Sequence, residues 1–497
     1  MRPRVAAESS RPLGVLVWLV PAALSAVLSV RSIDRAALWR DEMATREFSG
    51  LSVPNLFRAV SHVDAILTPY YLFMHGWRVF GDGAVALRAP SVIAATVTVA
   101  VTAMIATELW GLLAGGVAGI ALATNGPFAA LAIEARPYAL AMMLCAISTL
   151  IVIHLRADAG RRGAWWAYAG CVALATVLQF FAVLVIASHA IVFLRRNRWP
   201  FLAAAAPACV VAVALAAVSH AQTGQVNWIS QVSPAGAKRV AVLLTGQRWH
   251  AYLVVAAVVV ALAVQCRRRS VDEAWVMVLS LWVLPVVILF VVSKLAAPIL
   301  VLRYLVTGEI GVALLLGAGA AMLSSSVRVQ GLRPILAIAV IALVVVASAT
   351  QLRTTLDLRY KGDDYRALAR TLTAVTRPGD QLDVIQDFND GGFAAGVAYY
   401  LADEDFSADI ERSLPSGTPT QYLRDVVATS PYRTSAVEQP TGTVWLVAFA
   451  RSPKQRTAQP EGLAELVRQG CRLATRTGRR FGDIDLIEVR CGAVSSG

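Results

Sequence analysis

Charge is what this chain has least of. Asp, Glu, Lys and Arg make up 15% of its 497 residues, where a soluble globular domain carries about 25%. With 57% hydrophobic residues, that scarcity excludes an ordinary water-soluble enzyme. No two of the six cysteines have metal-site spacing. The tail after residue 350 shows no nucleotide-binding loop and no catalytic cluster, and no internal repeat is obvious. Acids are scarcer than bases, 32 against 45, for a formal charge of +13. That excess would suit nucleic acid if it were gathered on one element, but it is not. The arginines sit in short, alternate loops: Arg2, Arg4 and Arg11; Arg156, Arg161 and Arg162; Arg195, Arg196 and Arg198; Arg267 to Arg269; Arg328 and Arg333. This is the pattern of cytoplasmic loops in a multi-pass membrane protein, with anionic lipid as the partner and no nucleic acid.

Apolar runs long enough to cross hydrocarbon recur over the first 350 residues and then stop. The first, 13–30, is long for a signal peptide, and Ser29-Val30-Arg31 is a poor cleavage site, so a retained helix is expected. Placing the N-terminus in the cytoplasm gives about eleven spans: 13–30, 90–107, 112–130, 138–154, 165–178, 181–194, 201–218, 251–265, 275–292, 304–322 and 334–350. The expected architecture is an α-helical polytopic domain over 1–350, with a long outer loop at 31–88. A small extracytoplasmic α/β domain follows over 351–497. Strands are predicted at 381–387, 443–448 and 485–489, and helices at 367–375 and 462–469. Cys145, Cys171, Cys209 and Cys266 lie in or beside apolar runs and read as small buried hydrophobes. Cys471 and Cys491 lie in the polar region, where a disulfide is plausible outside the cytoplasm.

A charged side chain at a bilayer centre costs roughly 2.5–3.5 kcal/mol on insertion scales, so the ionisable residues that persist point to function. Asp41 and Glu42 lie just past the first span, beside Trp39. The same outer face collects His62 and Asp64 ahead of Tyr70 and Tyr71, then Glu134 and Arg136 ahead of Tyr138, then Lys294 and Arg303-Tyr304. A base, an aromatic ring and a phosphate-binding arginine are what transfer of a phosphate-linked sugar needs.

These segments also carry a resemblance. Trp39-Arg40-Asp41-Glu42, Tyr70-Tyr71-Leu72-Phe73-Met74-His75-Gly76-Trp77, Phe80-Gly81-Asp82, Ala86-Leu87-Arg88-Ala89-Pro90-Ser91, Glu134-Ala135-Arg136-Pro137-Tyr138-Ala139 and Arg303-Tyr304-Leu305 resemble the GT-C glycosyltransferases that use polyprenyl-phosphate sugars. The nearest branches are the protein mannosyltransferase-like and aminoarabinose transferase-like ones, and the chain looks most like actinobacterial mannosyltransferases. The resemblance implies an inverting transferase that moves a sugar, mannose first and an arabinose-type sugar second, to an acceptor hydroxyl at the outer membrane face. Asp41 would be the general base, Glu42 a supporting or metal-associated acid, and Arg303 with Lys294 the donor-phosphate site. His62, Asp64, Tyr70, Tyr71, Glu134, Arg136, Tyr138 and Tyr304 would line the substrate cavity. The acceptor would be a glycolipid, a lipoglycan or a protein. No cofactor is required by this reading, and a divalent cation is compatible with it. One departure stands out. Many relatives have a histidine shortly after the acid matching Asp64, whereas this chain reads Asp64-Ala65-Ile66-Leu67-Thr68-Pro69, which leaves the acceptor class open. The competing classes are a lipid or sugar transporter or flippase, and a scaffold acting through the C-terminal domain. Against transport, the ionisable groups favour the outer interface over the mid-membrane.

Overall fold

The computed structural model describes residues 11–61, 63–222, 229, 233–246, 248–268, 272–327, 329–357, 362–377, 380–385, 393–402, 409–411, 442–449, 461–474 and 478–492. In chain order, α1 (Arg11–Ser32) is followed by three short helices, α2 (Arg40–Gly50), α3 (Val53–Val60) and α4 (Thr68–Trp77). Then come α5 (Ala84–Trp110), α6 (Leu112–Ala123), α7 (Gly126–Ala132), α8 (Tyr138–Ala157), α9 (Arg162–Leu178) and α10 (Val185–Phe193). The helical part ends with α11 (Arg198–Ala221), α12 (Pro234–Leu244), α13 (Arg248–Arg268), α14 (Glu273–Leu295), α15 (Gly308–Ser326) and α16 (Arg333–Leu356). The C-terminal part holds α17 (Tyr365–Val375), β1 (Gln381–Ile385), α18 (Phe393–Ala402), β2 (Asp409–Glu411) and β3 (Gly442–Phe449). The helix Glu461–Arg468 and strands β4 (Arg472–Leu473), β5 (Arg479–Phe481) and β6 (Ile484–Cys491) complete it.

All eleven expected apolar segments are helical, and the protein is a multi-pass membrane protein. Among the described residues, eight helices are long and apolar enough to cross a membrane singly, and a ninth if the bent pair α6–α7 is one span. The remaining two segments are shorter, α9 with 17 residues and the run Phe180–Phe193. The expected single helix 112–130 is instead broken by 66°. The cause is local: Asn125 accepts the Phe128 N–H at 3.0 Å and caps a new helix, and Pro127 sits in its first turn. The expected loop 31–88 is also not featureless, since α2 to α4 lie within it.

Packing divides the chain differently from composition. One compact unit is Met1–Ile33 with Arg88–Asp357; the other is Asp34–Leu87 with Leu358–Gly497. In the first unit, large side chains such as Val210, Val213, Val259, Ile338 and Val346 face away from the bundle. Lipid is as apolar as leucine, so the helices gain by close approach instead, through small residues. A Cβ on Gly317 would strike the Ala114 backbone, one on Gly319 would strike Ala257, and one on Gly119 would strike Pro21. Cys145 is buried, as expected, but Cys209 and Cys266 are exposed on this outward surface, which hydrocarbon covers in a membrane.

In the second unit the described strands form one mixed sheet in the order β2-β1-β3-β6-β4, with β5 also paired to β6. β1 runs parallel to β2 and β3, and β6 runs antiparallel to β3, β4 and β5. Alternation along β3 builds two cores. Trp445 and Val447 face α17 and α18, together with Leu382, Val384, Tyr365, Leu368 and Ala37. Val444 and Leu446 face Leu463 and Leu466 on the other side, with Cys471 and Cys491. Those two cysteines form a disulfide.

Candidate active site

The ionisable residues singled out in the sequence fall into two groups, one in each unit. In the Asp34–Leu87 unit the central element is α2. Its N-cap position is Trp39, which has no side-chain acceptor for the orphan N–H groups of a helix start. Two carboxylates supply that function. Glu42, fully buried, reaches back to the Trp39 N–H at 3.3 Å, the reciprocal half of a capping box. Asp363, from the C-terminal segment, accepts the Arg40 N–H at 3.4 Å. Asp41 lies between these anchored residues and remains half-buried, with its backbone carbonyl accepting the Thr45 hydroxyl at 3.2 Å.

The strap that precedes α2 is held by the same C-terminal segment. Arg366 donates to the Asp34 and Arg35 carbonyls at 3.0 and 3.1 Å and to the Asp34 carboxylate at 3.1 Å. The Tyr400 hydroxyl accepts the Leu38 N–H at 2.7 Å, and Ala37 is buried in the core of that domain. Burial pushes the Asp363 carboxyl up to about 6; the Arg40 charge and N–H pull it down, and the nearby Asp483 and Asp41 push it further up.

On its other flank α2 packs on α4. Phe48 stacks on Tyr71 with ring centroids 5.0 Å apart, and the Tyr71 hydroxyl donates to the Asp64 carboxylate at 2.8 Å. Asp64 is left-handed at φ 57°, the one such non-glycine among the described residues; aspartate tolerates that region better than most residues. Tyr70 and Tyr71 are both fully buried. His62 lies outside the described residues. At its far end α2 is braced by Arg46, which pairs with Asp82 at 2.8 Å and Glu47 at 3.0 Å and lies 4.5 Å over the Tyr399 ring.

In the helical unit, the turn before α8 carries Glu134, Arg136 and Tyr138, all nearly buried. Ser91 fixes that turn by donating to the Glu134 carbonyl at 2.6 Å. Arg303, Arg136, Tyr304 and Glu134 are the groups that act electrostatically on the Tyr138 hydroxyl, so these five residues form one cluster. Tyr304 stacks on Phe181 at 4.7 Å, and the Arg303 guanidinium lies 6.0 Å from the Tyr304 ring. Lys294 stands apart: it is exposed near the end of α14, with its ammonium 5.9 Å from the Phe290 ring. Arg88 is fully buried and donates to the Ile33 carbonyl at 2.7 Å, tying together the two points where the 34–87 segment leaves and rejoins the helices. Among the described residues no group of three or more His, Cys, Asp or Glu is placed to hold a metal ion.

No family model matches the chain, and no curated protein matches it in sequence. Solved structures do match in fold. ArnT from Cupriavidus metallidurans in the apo state superposes with a TM-score of 0.57 at 13% identity, over 95% of this chain and 97% of that one. The same protein bound to undecaprenyl phosphate gives 0.54 at 14% identity, over 97% and 98%. The archaeal oligosaccharyltransferase AglB from Archaeoglobus fulgidus, in complex with an inhibitory peptide and a dolichol-phosphate, gives 0.51 at 10% identity, over 89% of this chain and 70% of that one. These neighbours are polytopic GT-C glycosyltransferases, and theirs is the fold this chain adopts.

Proposed function

We propose that the protein is an integral membrane glycosyltransferase that moves a sugar from a polyprenyl-phosphate donor to an acceptor hydroxyl at the extracytoplasmic face. The observation that supports it most is the matching fold along nearly the whole chain of a protein solved with undecaprenyl phosphate bound. An acidic residue held half-exposed on an anchored helix start, where the sequence motif puts the base, adds to it. A lipid-linked donor suits such a site because nucleotide sugars are absent outside the cytoplasm. The sugar we infer is mannose, from the sequence resemblance alone; the acceptor is a glycolipid, lipoglycan or protein.

The Asp41 carboxylate takes the proton of the acceptor hydroxyl, and the oxygen attacks the anomeric carbon from the face opposite the phosphate. The bond from that carbon to the phosphate oxygen breaks, its electron pair leaves with polyprenyl phosphate, and the configuration inverts. Following the sequence resemblance, Arg303, grouped with Tyr138 and Tyr304, is assigned to offset the charge growing on the departing phosphate. Glu42 is occupied in capping α2, so its role is to hold Asp41 in place.

Purified protein with polyprenyl-phosphate mannose tests this. Asp41→Asn should lower transfer by about 10²–10⁴-fold while the protein folds normally, and Arg303→Ala should chiefly weaken apparent donor affinity. Wild-type turnover in Asp41→Asn would falsify the base assignment.

A further inference from the structure

The C-terminal unit holds a cavity of about 440 Å³ that the proposed reaction does not use. Its lining includes Asp34, the first residues of α5, Arg366 and Arg370 from successive turns of α17, and Tyr399 and Tyr400 from α18. The volume falls within the range of small-ligand sites, about 300–1,000 Å³.

The two arginines are not equivalent. Arg366 is spent on the strap: its guanidinium is engaged by the Asp34 carboxylate and two carbonyls, and lies 5.7 Å over the Tyr400 ring. Arg370, four residues on and so on the same helix face, is exposed and makes no hydrogen bond or ion pair among the described residues. Among the described residues its charge is therefore uncompensated, since the one acid in the described lining, Asp34, is already paired. Beside it Tyr399 is half-buried, held edge-on by Tyr400 at 4.9 Å and by the Arg46 guanidinium. A fixed aromatic wall beside a guanidinium with no partner among the described residues suits a ring that bears an anion. A planar fork of donors matches phosphate or carboxylate with two parallel bonds, and the ring supplies apolar contact for sugar C–H faces.

We propose that this cavity binds an anionic saccharide, a sugar ring carrying a phosphate or a carboxylate, as an anchoring site for the acceptor chain. The acceptor role rests on the transferase reading; the binding itself does not. Because Arg366, Tyr400 and Asp34 both line the cavity and hold the strap leading to Asp41, an occupant would press on the same contacts that position the proposed base.

Binding to the full-length protein in nanodiscs is measured by calorimetry with four probes: mannose 6-phosphate, glucuronate, free mannose and inorganic phosphate. Mannose 6-phosphate and glucuronate should bind at a single site and compete with each other, each at least tenfold tighter than mannose or phosphate. Arg370→Gln should weaken both by tenfold or more and flatten their salt dependence; the side chain is exposed, so the fold is kept. Equal binding by Arg370→Gln, or inorganic phosphate binding as tightly as the sugar phosphate, overturns the proposal, as does an absence of saturable binding. Asp41→Asn should bind the probes as wild type does. If that variant also retained transfer, the reaction scheme would fall while the binding site stood.

Discussion

Three acidic residues that look alike in sequence are given different work by their surroundings. Asp41 stays accessible, Glu42 is buried as a cap, and Asp363 supplies the second cap from 323 residues away. Burial of Asp363 also carries a cost. Its carboxyl holds its proton to about pH 6 in the fold, against 3.8 when solvated. Between those values the folded chain binds a proton that the unfolded chain has released. Stability from this group is therefore full below pH 3.8 and lost as the pH rises to 6, and the shift corresponds to about 3 kcal/mol. Asp363→Asn keeps an acceptor for the Arg40 N–H without the charge. The variant should melt above the wild type at pH 7, and the gap should close as the pH falls toward 4. A gap that is constant over that range, or that widens toward acid, rules out the buried neutral carboxyl. The motif Trp39-Arg40-Asp41-Glu42 could be read from sequence because its acids are adjacent and follow a span. Asp363, Arg366 and Tyr400 could not be, since nothing local marks a residue whose hydrogen-bond partner lies more than 300 positions away.

Elements were the most legible level. The eleven apolar segments, three strands and two C-terminal helices expected from periodicity all appear, because length and alternation are local signals. The break at Asn125-Gly126-Pro127 is just as local, but its apolar neighbours on both sides masked it within one long run. The helices α2 to α4 were hidden for a different reason: at 8 to 11 residues they are short, and their stability comes from packing rather than propensity. What sequence could not rank is which glycines matter. A Cβ at Gly317 of α15 would sit 2.5 Å from the Ala114 carbonyl oxygen, a backbone atom that cannot yield without moving α6. At Gly116 a Cβ meets nothing within 4 Å. Gly317→Val should lower folded yield and thermal midpoint sharply, by more than the 1–3 kcal/mol typical of overpacking (about that range). Gly116→Val should remain near wild type. Similar losses for both in detergent-extracted protein, scored by size-exclusion recovery against temperature, would remove the close α15–α6 contact as the cause.

At the scale of the whole molecule, the second compact unit is assembled from two distant stretches of chain, 34–87 and 358–497. The C-terminal domain is thus part of the scaffold of the proposed base. Residues 34 to 39 have no helix or strand of their own; Arg366 and Tyr400 hold them through hydrogen bonds, and Asp363 holds the first residue of α2 that follows. The strap is synthesised first, and these hydrogen bonds can form only once residues 363–400 have been made. Tyr400 is the contact best suited to a test, because its hydroxyl is the acceptor for a buried N–H. Tyr400→Phe keeps the ring stacked on Tyr365 and leaves the Leu38 N–H without that oxygen, at a cost of about 1–3 kcal/mol. Hydrogen exchange read by mass spectrometry should then speed up in the peptides covering residues 36–45, roughly tenfold per 1.4 kcal/mol lost, while exchange in α17 and β3 changes little. Transfer should fall with it, through turnover more than through donor affinity, because what loosens is the placement of Asp41. Unchanged exchange at the strap together with reduced exchange protection in α17 would mean that Tyr400 supports the domain core alone, and that the strap is held by Arg366 and Asp363 without it.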